Sequence, residues 1–175
     1  MAPCIHIVSN VAFSPILSLV TRSDRHWVAM QVLVVAAIVL ALIILKPPEV
    51  RLLPIWVGVA LCFISLAVMA SAFMAHVSVN HTMQVNVSPS PDSKKQLVAR
   101  GIYAYVRHPM YLSGSLLLLG ATIWHGNVVA IGGGLMASLF FYLKSIHEEQ
   151  LLLQVYADYP AYMKRTGRLL PRFWR

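Results

Sequence analysis

Two long stretches without a single charged residue constrain this chain more than any motif does. Trp27 to Leu45 is flanked by Arg22 and Arg25 on one side and Lys46 on the other, and as a helix it is long enough to cross a hydrocarbon core of roughly 30 Å. After Pro47, Pro48 and Arg51 the pattern repeats from Leu52 to Ala75, with Pro54 near the first turn, where a missing N–H costs little. The pair is expected as a tight hairpin of membrane-spanning helices. Composition agrees, since 58% of the 175 residues are hydrophobic and only 11% are charged, a balance poorly suited to a monomeric soluble domain. The formal net charge of +8, from 14 basic and 6 acidic residues, would suggest nucleic acid in a soluble chain. Here the basic residues cluster at the ends of apolar segments, so membrane lipid and topology explain them and no nucleic-acid partner is expected.

Ile5 to Val20 is short for a span and can be read as a re-entrant segment, an interfacial segment or a weak first helix. It has no Lys or Arg before Arg22 and so lacks the basic start of a secretory signal, which predicts that it stays in the mature chain. Cys4 and Cys62 cannot make a disulfide framework, and Cys62 sits in an apolar run as a small hydrophobe. From His76 to His108 the chain turns polar. Val77, Val79, Met83, Val85 and Val87 alternate there with Asn80, Gln84 and Asn86, the period of an extended segment, before a turn at Ser88 to Pro91.

Pro109 can open a third helix at its first position, running through Trp124 to a His125-Gly126-Asn127 turn. Val128 to Leu143 returns, with Gly132, Gly133 and Gly134 as a packing notch, and no breaker stops this fourth helix before Tyr159-Pro160. The tail then carries Lys164, Arg165, Arg168, Arg172 and Arg175 among aromatic and aliphatic residues, an interfacial pattern. The fold expected is an all-α integral membrane protein forming one domain over 1–175, with four to five transmembrane helices. Within it, 1–75 supplies the N-terminal helices, 76–108 a cytosolic loop over a cofactor pocket, 109–148 a helical hairpin, and 149–175 a basic tail with a C-terminal interfacial helix. Setting the tail, the Lys94 to Arg107 loop and Arg22/Arg25 on one side satisfies the positive-inside rule.

Ionisable groups near membrane depth persist where they have partners or a polar cavity. Arg107, His108, Lys144, His147, Glu148 and Glu149 therefore stand out, and the short turn of the hairpin brings Arg107/His108 beside Glu148/Glu149. Singly, each has an ordinary explanation: Arg107 can snorkel to lipid phosphate, the glutamates can be solvated helix-end charge, and Tyr103, Tyr105 and Tyr111 suit an aromatic belt. Their combination is more specific.

Gly101-x-Tyr103-x-x-x-Arg107-His108-Pro109-x-Tyr111, an apolar hairpin, Glu148-Glu149 and a Tyr- and Lys/Arg-rich end closing at Leu170-Pro171 resemble the isoprenylcysteine carboxyl methyltransferase family, part of a broader group with phospholipid N-methyltransferases. The resemblance covers roughly His76 to Pro171. It implies S-adenosylmethionine bound at the cytosolic end of the hairpin and a lipophilic small-molecule or prenylated acceptor arriving from the bilayer. Carried over position by position, it implies cofactor contacts at Gln84, at Lys95, Gln96, Leu97 and Val98, at Tyr103, at His108, Pro109, Met110 and Tyr111, and at Glu148, with Glu149 beside it. Arg107 and Lys144 are then the residues expected to orient the acceptor as catalytic groups. Methyl transfer from a sulfonium is an in-line displacement that needs no metal and depends on alignment and desolvation.

The chain departs from the family at Lys144, where the eukaryotic enzymes have a substrate-contacting Arg with a bidentate fork, and at Ser113, where a glycine is usual. The Gln84 to Lys95 loop is also a few residues longer. A carboxylate acceptor needs no general base, whereas an amine or thiol would need one, with His81, His108 or His147 as candidates. A similar Arg-His-Pro-x-Tyr segment occurs in NADPH-dependent membrane sterol and enone reductases, which are usually longer chains with further aromatic motifs; that is the alternative enzyme class.

Overall fold

The computed structural model describes residues 14–81 and 97–172, with side chains from Arg25 onward within the first helix. All the regular structure there is helical. Helix α1 spans Ser14–Ile44, so Ser14 to Val20 belongs to the same helix as the first apolar stretch rather than to a separate element. Pro15 falls in the opening turn, where a missing N–H costs little, and no Gly or Pro interrupts the sequence before Pro47. The remainder of the Ile5 to Val20 stretch lies outside the described residues.

Helix α2 spans Ile55–Asn80 behind Pro54. It ends at His81, whose backbone is left-handed (φ 52°) and whose N–H donates to the Val77 carbonyl at 2.9 Å. The alternation that predicted an extended segment from Val77 is therefore overridden as far as Asn80. One more helical turn pairs backbone groups that an extended strand without a neighbour would leave open. The rest of the alternating segment lies outside the described residues.

A 3₁₀ turn at Gly101–Ala104 leads into α3, Pro109–His125, with Pro109 at the first turn as expected. Gly126 ends α3 in the left-handed region (φ 86°), a conformation that favours glycine. Asn127 caps α4, Val128–Val155, by accepting from the Val129 N–H. A last short helix, α5, covers Tyr159–Arg165.

Packing runs α1 on α4, α4 on α3, and α3 on α2. Small residues set the closest contacts, as they do where apolar surface gains nothing by leaving lipid. A Cβ on Gly58 would lie 2.5 Å from the Trp124 backbone nitrogen, and one on Gly120 would lie 2.8 Å from the Gly58 carbonyl. Two turns of helix further along, Ser65 Oγ donates to the Ser113 carbonyl at 2.8 Å and Ser113 Oγ to the Ser65 carbonyl at 3.0 Å. The serine that stands in place of a family glycine is thus half of a reciprocal bond between α2 and α3. Of the three consecutive glycines only Gly134 serves as a tight notch, since its Cβ would meet Thr122 Oγ1 at 2.5 Å; Gly133 would make ordinary contact with Ile38, and Gly132 faces open space.

The bundle has two ends. At one, the α1–α2 connection meets the α3–α4 turn: His125 Nε2 lies 3.0 Å from the Leu45 carbonyl, Asn127 donates to the Lys46 carbonyl at 3.1 Å, and Arg51 donates to the Trp124 carbonyl. At the other lie the end of α2, the start of α3 and the end of α4. Against the four to five spans expected, three helical segments among the described residues are long and apolar enough to cross a membrane: Arg25–Ile44, Ile55–Asn80 and Val128–Val155. Helix α3 has 17 residues and reaches only about 26 Å.

The glycine contacts give a paired prediction. Gly58→Leu should lower the thermal unfolding midpoint in detergent by several degrees or abolish folding, because backbone atoms of α3 fill the space. Gly132→Ala should leave the midpoint unchanged or raise it slightly. Equal effects from the two substitutions would contradict the packing described.

Candidate functional site

The site grows from the backbone where the chain enters α3. Arg107 N–H donates to the Gly167 carbonyl at 2.8 Å, His108 N–H to the Arg168 carbonyl at 3.1 Å, and Gly167 N–H to the Tyr105 carbonyl at 2.9 Å, a short parallel pairing of Val106 with Gly167. The C-terminal segment, expected as a basic interfacial tail, is thereby bound to the Arg-His-Pro loop. Tyr159, Tyr162 and Thr166 are buried, and Tyr162 Oη donates to the Tyr103 carbonyl at 2.7 Å. Burial pushes the Tyr162 hydroxyl up, well above its ordinary value, so it remains a donor.

Behind this pairing lies a buried ion cluster. Glu149, 2% exposed, receives Arg107 Nε at 2.7 Å on one carboxylate oxygen, and Arg168 Nη2 at 2.6 Å and Nε at 3.0 Å on the other. Arg107 Nη1 also reaches the carbonyls of Met163, at 3.1 Å, and Thr166. His108 Nε2 stands 3.3 Å from the same Glu149 oxygen that Arg107 uses, close enough for an electrostatic contact but without hydrogen-bond alignment. The predicted adjacency of Arg107/His108 and Glu148/Glu149 is present. Glu149 itself, expected beside Glu148 as a cofactor contact, has its oxygens occupied by arginines.

Glu148 points elsewhere. Its Oε2 is buried without a hydrogen-bond partner and lies 3.7 Å from His108 Nδ1. It borders a pocket of about 350 Å³, open mouth included. Tyr103 and Arg107 line that pocket before α3, His108, Pro109, Met110 and Tyr111 line it from the first turn, and Glu148 lines it from α4. The Tyr103 hydroxyl is pushed up to about 12, chiefly by burial and then by the Glu148 charge, so it too stays protonated near neutral pH. Rings continue the wall towards α1: His108 stacks on Tyr111 at 5.6 Å, Tyr111 on Phe141 at 5.7 Å, and Trp27 on His147 at 5.4 Å.

Lys144 lies behind this wall, fully buried. Its ammonium donates to Gln31 Oε1 and sits 5.3 Å from the centre of the Tyr111 ring. Leu97 is half-buried and Val98 buried just ahead of the 3₁₀ turn; neither lines the pocket among the described residues. Gln84, Lys95 and Gln96 lie outside the described residues. Sequence reasoning missed Gln31, Trp27, Tyr162, Thr166, Gly167 and Arg168 as neighbours of the site. Gly167 next to Arg168 in an otherwise basic tail was the available signal, because a glycine there lets the backbone pair closely.

Residues 53–159 match the sequence profile of a family described as phospholipid methyltransferase. The chain belongs to that family. It is 29% identical over 118 residues to a protein-S-isoprenylcysteine O-methyltransferase of Tribolium castaneum, a match covering 66% of this chain and 41% of that protein. In fold it is similar to a solved structure of the eukaryotic intramembrane Ras methyltransferase, isoprenylcysteine carboxyl methyltransferase. The TM-score is 0.58 at 21% identity over 92% of this chain and 54% of that one. The chain thus spans about two-fifths and about half of the lengths of these two proteins. The match agrees with the resemblance carried by the Gly101 to Tyr111 motif together with Glu148-Glu149 and the tail, to isoprenylcysteine carboxyl methyltransferases within a broader group that includes phospholipid N-methyltransferases.

The geometry of Arg107 predicts the effect of the smallest change there. Lysine keeps the charge but has no fork to hold Glu149 and two carbonyls together. Arg107→Lys should therefore cost about 1–3 kcal/mol, read as faster amide hydrogen exchange at Arg107, His108 and Gly167 with no change in the α2–α3 contact.

Proposed function

We propose that this chain is a membrane-embedded methyltransferase that moves a methyl group from S-adenosylmethionine to a lipophilic acceptor, a carboxylate such as an isoprenylcysteine or a related small lipophile. The observation that carries the reading is the Glu148 oxygen buried without a hydrogen-bond partner at a pocket lined by the residues of the Tyr103 to Tyr111 motif. Family membership supports the transferase class over the NADPH-dependent reductase class.

The residues fit that cofactor chemically. A carboxylate such as Glu148 accepts from ribose hydroxyls or an amino group, and the Tyr103 hydroxyl and the His108 ring donate or accept beside it. Pro109, Met110 and Tyr111 offer an apolar and aromatic surface for a purine ring. When bound, S-adenosylmethionine supplies an electrophilic methyl group on a sulfonium. The protein's part is to hold the reactants in line and keep water out, which suits a pocket at the end of a helical bundle. Gln84, Lys95, Gln96, Leu97 and Val98 remain proposed contacts from the connecting loop.

For the acceptor we assign Lys144 the orienting role. Its ammonium lies 5.3 Å from the centre of the Tyr111 ring that lines the pocket, and a lysine beside that wall suits an acid acceptor better than a phospholipid amine. Arg107 supports the same end of the pocket while held by Glu149. Basic residues gather at this end, among them Arg100, Arg107, Lys164, Arg165, Arg168 and Arg172, against Lys46 and Arg51 at the other, and under the positive-inside rule that asymmetry supports a cytosolic-facing pocket.

Incubating the purified protein with labelled S-adenosylmethionine and a native membrane lipid extract should label a lipophilic acid. Glu148→Ala and Tyr111→Ala should each weaken binding of S-adenosylhomocysteine at least about tenfold, roughly the loss of one good polar contact or one stacked ring, with helical circular dichroism retained. Unchanged binding in both variants would defeat the site assignment, and an NADPH fluorescence change with no response to S-adenosylmethionine would defeat the transferase reading.

A further inference from the structure

Glu148 and Glu149 are neighbours in sequence with opposite surroundings. Glu148 has a buried oxygen without a hydrogen-bond partner at the pocket, whereas Glu149 accepts from Arg107 on one oxygen and from Arg168 on the other. Arg107 is the member of this cluster that also lines the pocket. Its guanidinium would present a full positive charge to anything bound there if no carboxylate lay 2.7 Å behind it.

We infer that Glu149 is a positioning residue whose charge, acting through Arg107, makes the pocket tolerant of a positively charged ligand and so allows it to hold a sulfonium. The inference rests on the methyltransferase reading and deepens it. The local charges are two guanidinium groups, Arg107 and Arg168, against two carboxylates, Glu148 and Glu149. Removing one carboxylate leaves a net positive charge beside the pocket, and in a partly buried site that charge is screened far less than in water. Because S-adenosylmethionine carries the sulfonium and S-adenosylhomocysteine a neutral thioether, the two ligands report the field with nearly the same shape.

The test is the ratio of the two dissociation constants, measured by calorimetry on the purified full chain in detergent. Glu149→Gln keeps the shape and one acceptor but removes the charge. It should weaken S-adenosylmethionine roughly five- to tenfold more than S-adenosylhomocysteine. Arg168→Gln removes a cation while sparing the Arg107–Glu149 pair, so it should move the ratio the opposite way. The double variant Arg107→Gln with Glu149→Gln should return the ratio towards that of the unsubstituted protein, as expected of two coupled charges. A purely structural role would weaken both ligands equally in every variant, and equal weakening or an unmoved ratio overturns the inference. Should Glu149→Gln fail to fold, Arg168→Gln decides alone by the same criterion. If the unsubstituted protein binds neither ligand, the methyltransferase reading itself falls, an outcome distinct from an unmoved ratio.

Discussion

The buried cluster of Arg107, Glu149 and Arg168 is the interaction on which the rest of this end of the molecule depends. Glu149 comes from α4, Arg107 from the loop entering α3, and Arg168 from the segment beyond α5. One carboxylate therefore joins three parts of the chain that are far apart in sequence. Taking three charges out of water is costly, and such a group is favourable only when its remaining donors and acceptors are satisfied. Here Arg107 also reaches the carbonyls of Met163 and Thr166, and Thr166 Oγ1 donates to the Tyr162 carbonyl at 2.7 Å. Breaking such a cluster from one side leaves charge buried without its partner, an effect of about 3–5 kcal/mol in comparable cases.

The bundle that carries this cluster is held by a different kind of contact. Between α2 and α3 the backbones approach through Gly58 and Gly120, and Ser65 and Ser113 exchange hydrogen bonds a little further along. Between α3 and α4 the notch is Gly134. Side chains this small hold helices by backbone proximity and dispersion, which survive in lipid, where burying leucine gains little. The same contacts fix the start of α3 against the end of α4, and that register is what puts Pro109 to Tyr111 opposite Glu148.

Much of this arrangement was legible in the residues. An uncharged run ending before Lys46 and another beginning after Arg51 announced α1 and α2, and a Pro at the start and a Gly at the end bounded α3, because those residues restrict backbone dihedrals locally. The pairing of Arg107/His108 with Glu148/Glu149 followed from a two-helix hairpin with a short turn. What misled was the alternation after Val77, where a few residues of period two gave way to a helix that could go on satisfying its own backbone. The tail misled too: its basic residues suggested an interfacial appendage, yet Arg168 turns inward to a carboxylate 19 positions earlier.

The sequence by itself determined that the chain is helical and apolar enough for a membrane, where α3 begins and stops, and which motif residues gather at one end, because each of these depends on local composition or on a single short turn. Only the tertiary structure decided which glutamate faces the pocket and which is tied to arginines, since Glu148 and Glu149 differ by one position, about 100° around a helix. It also decided that Gln31 meets Lys144 and that Gly167 pairs with Val106. Those contacts join residues far apart in the chain, and their partners are chosen by helix packing and by the need to neutralise buried charge, which no local pattern encodes.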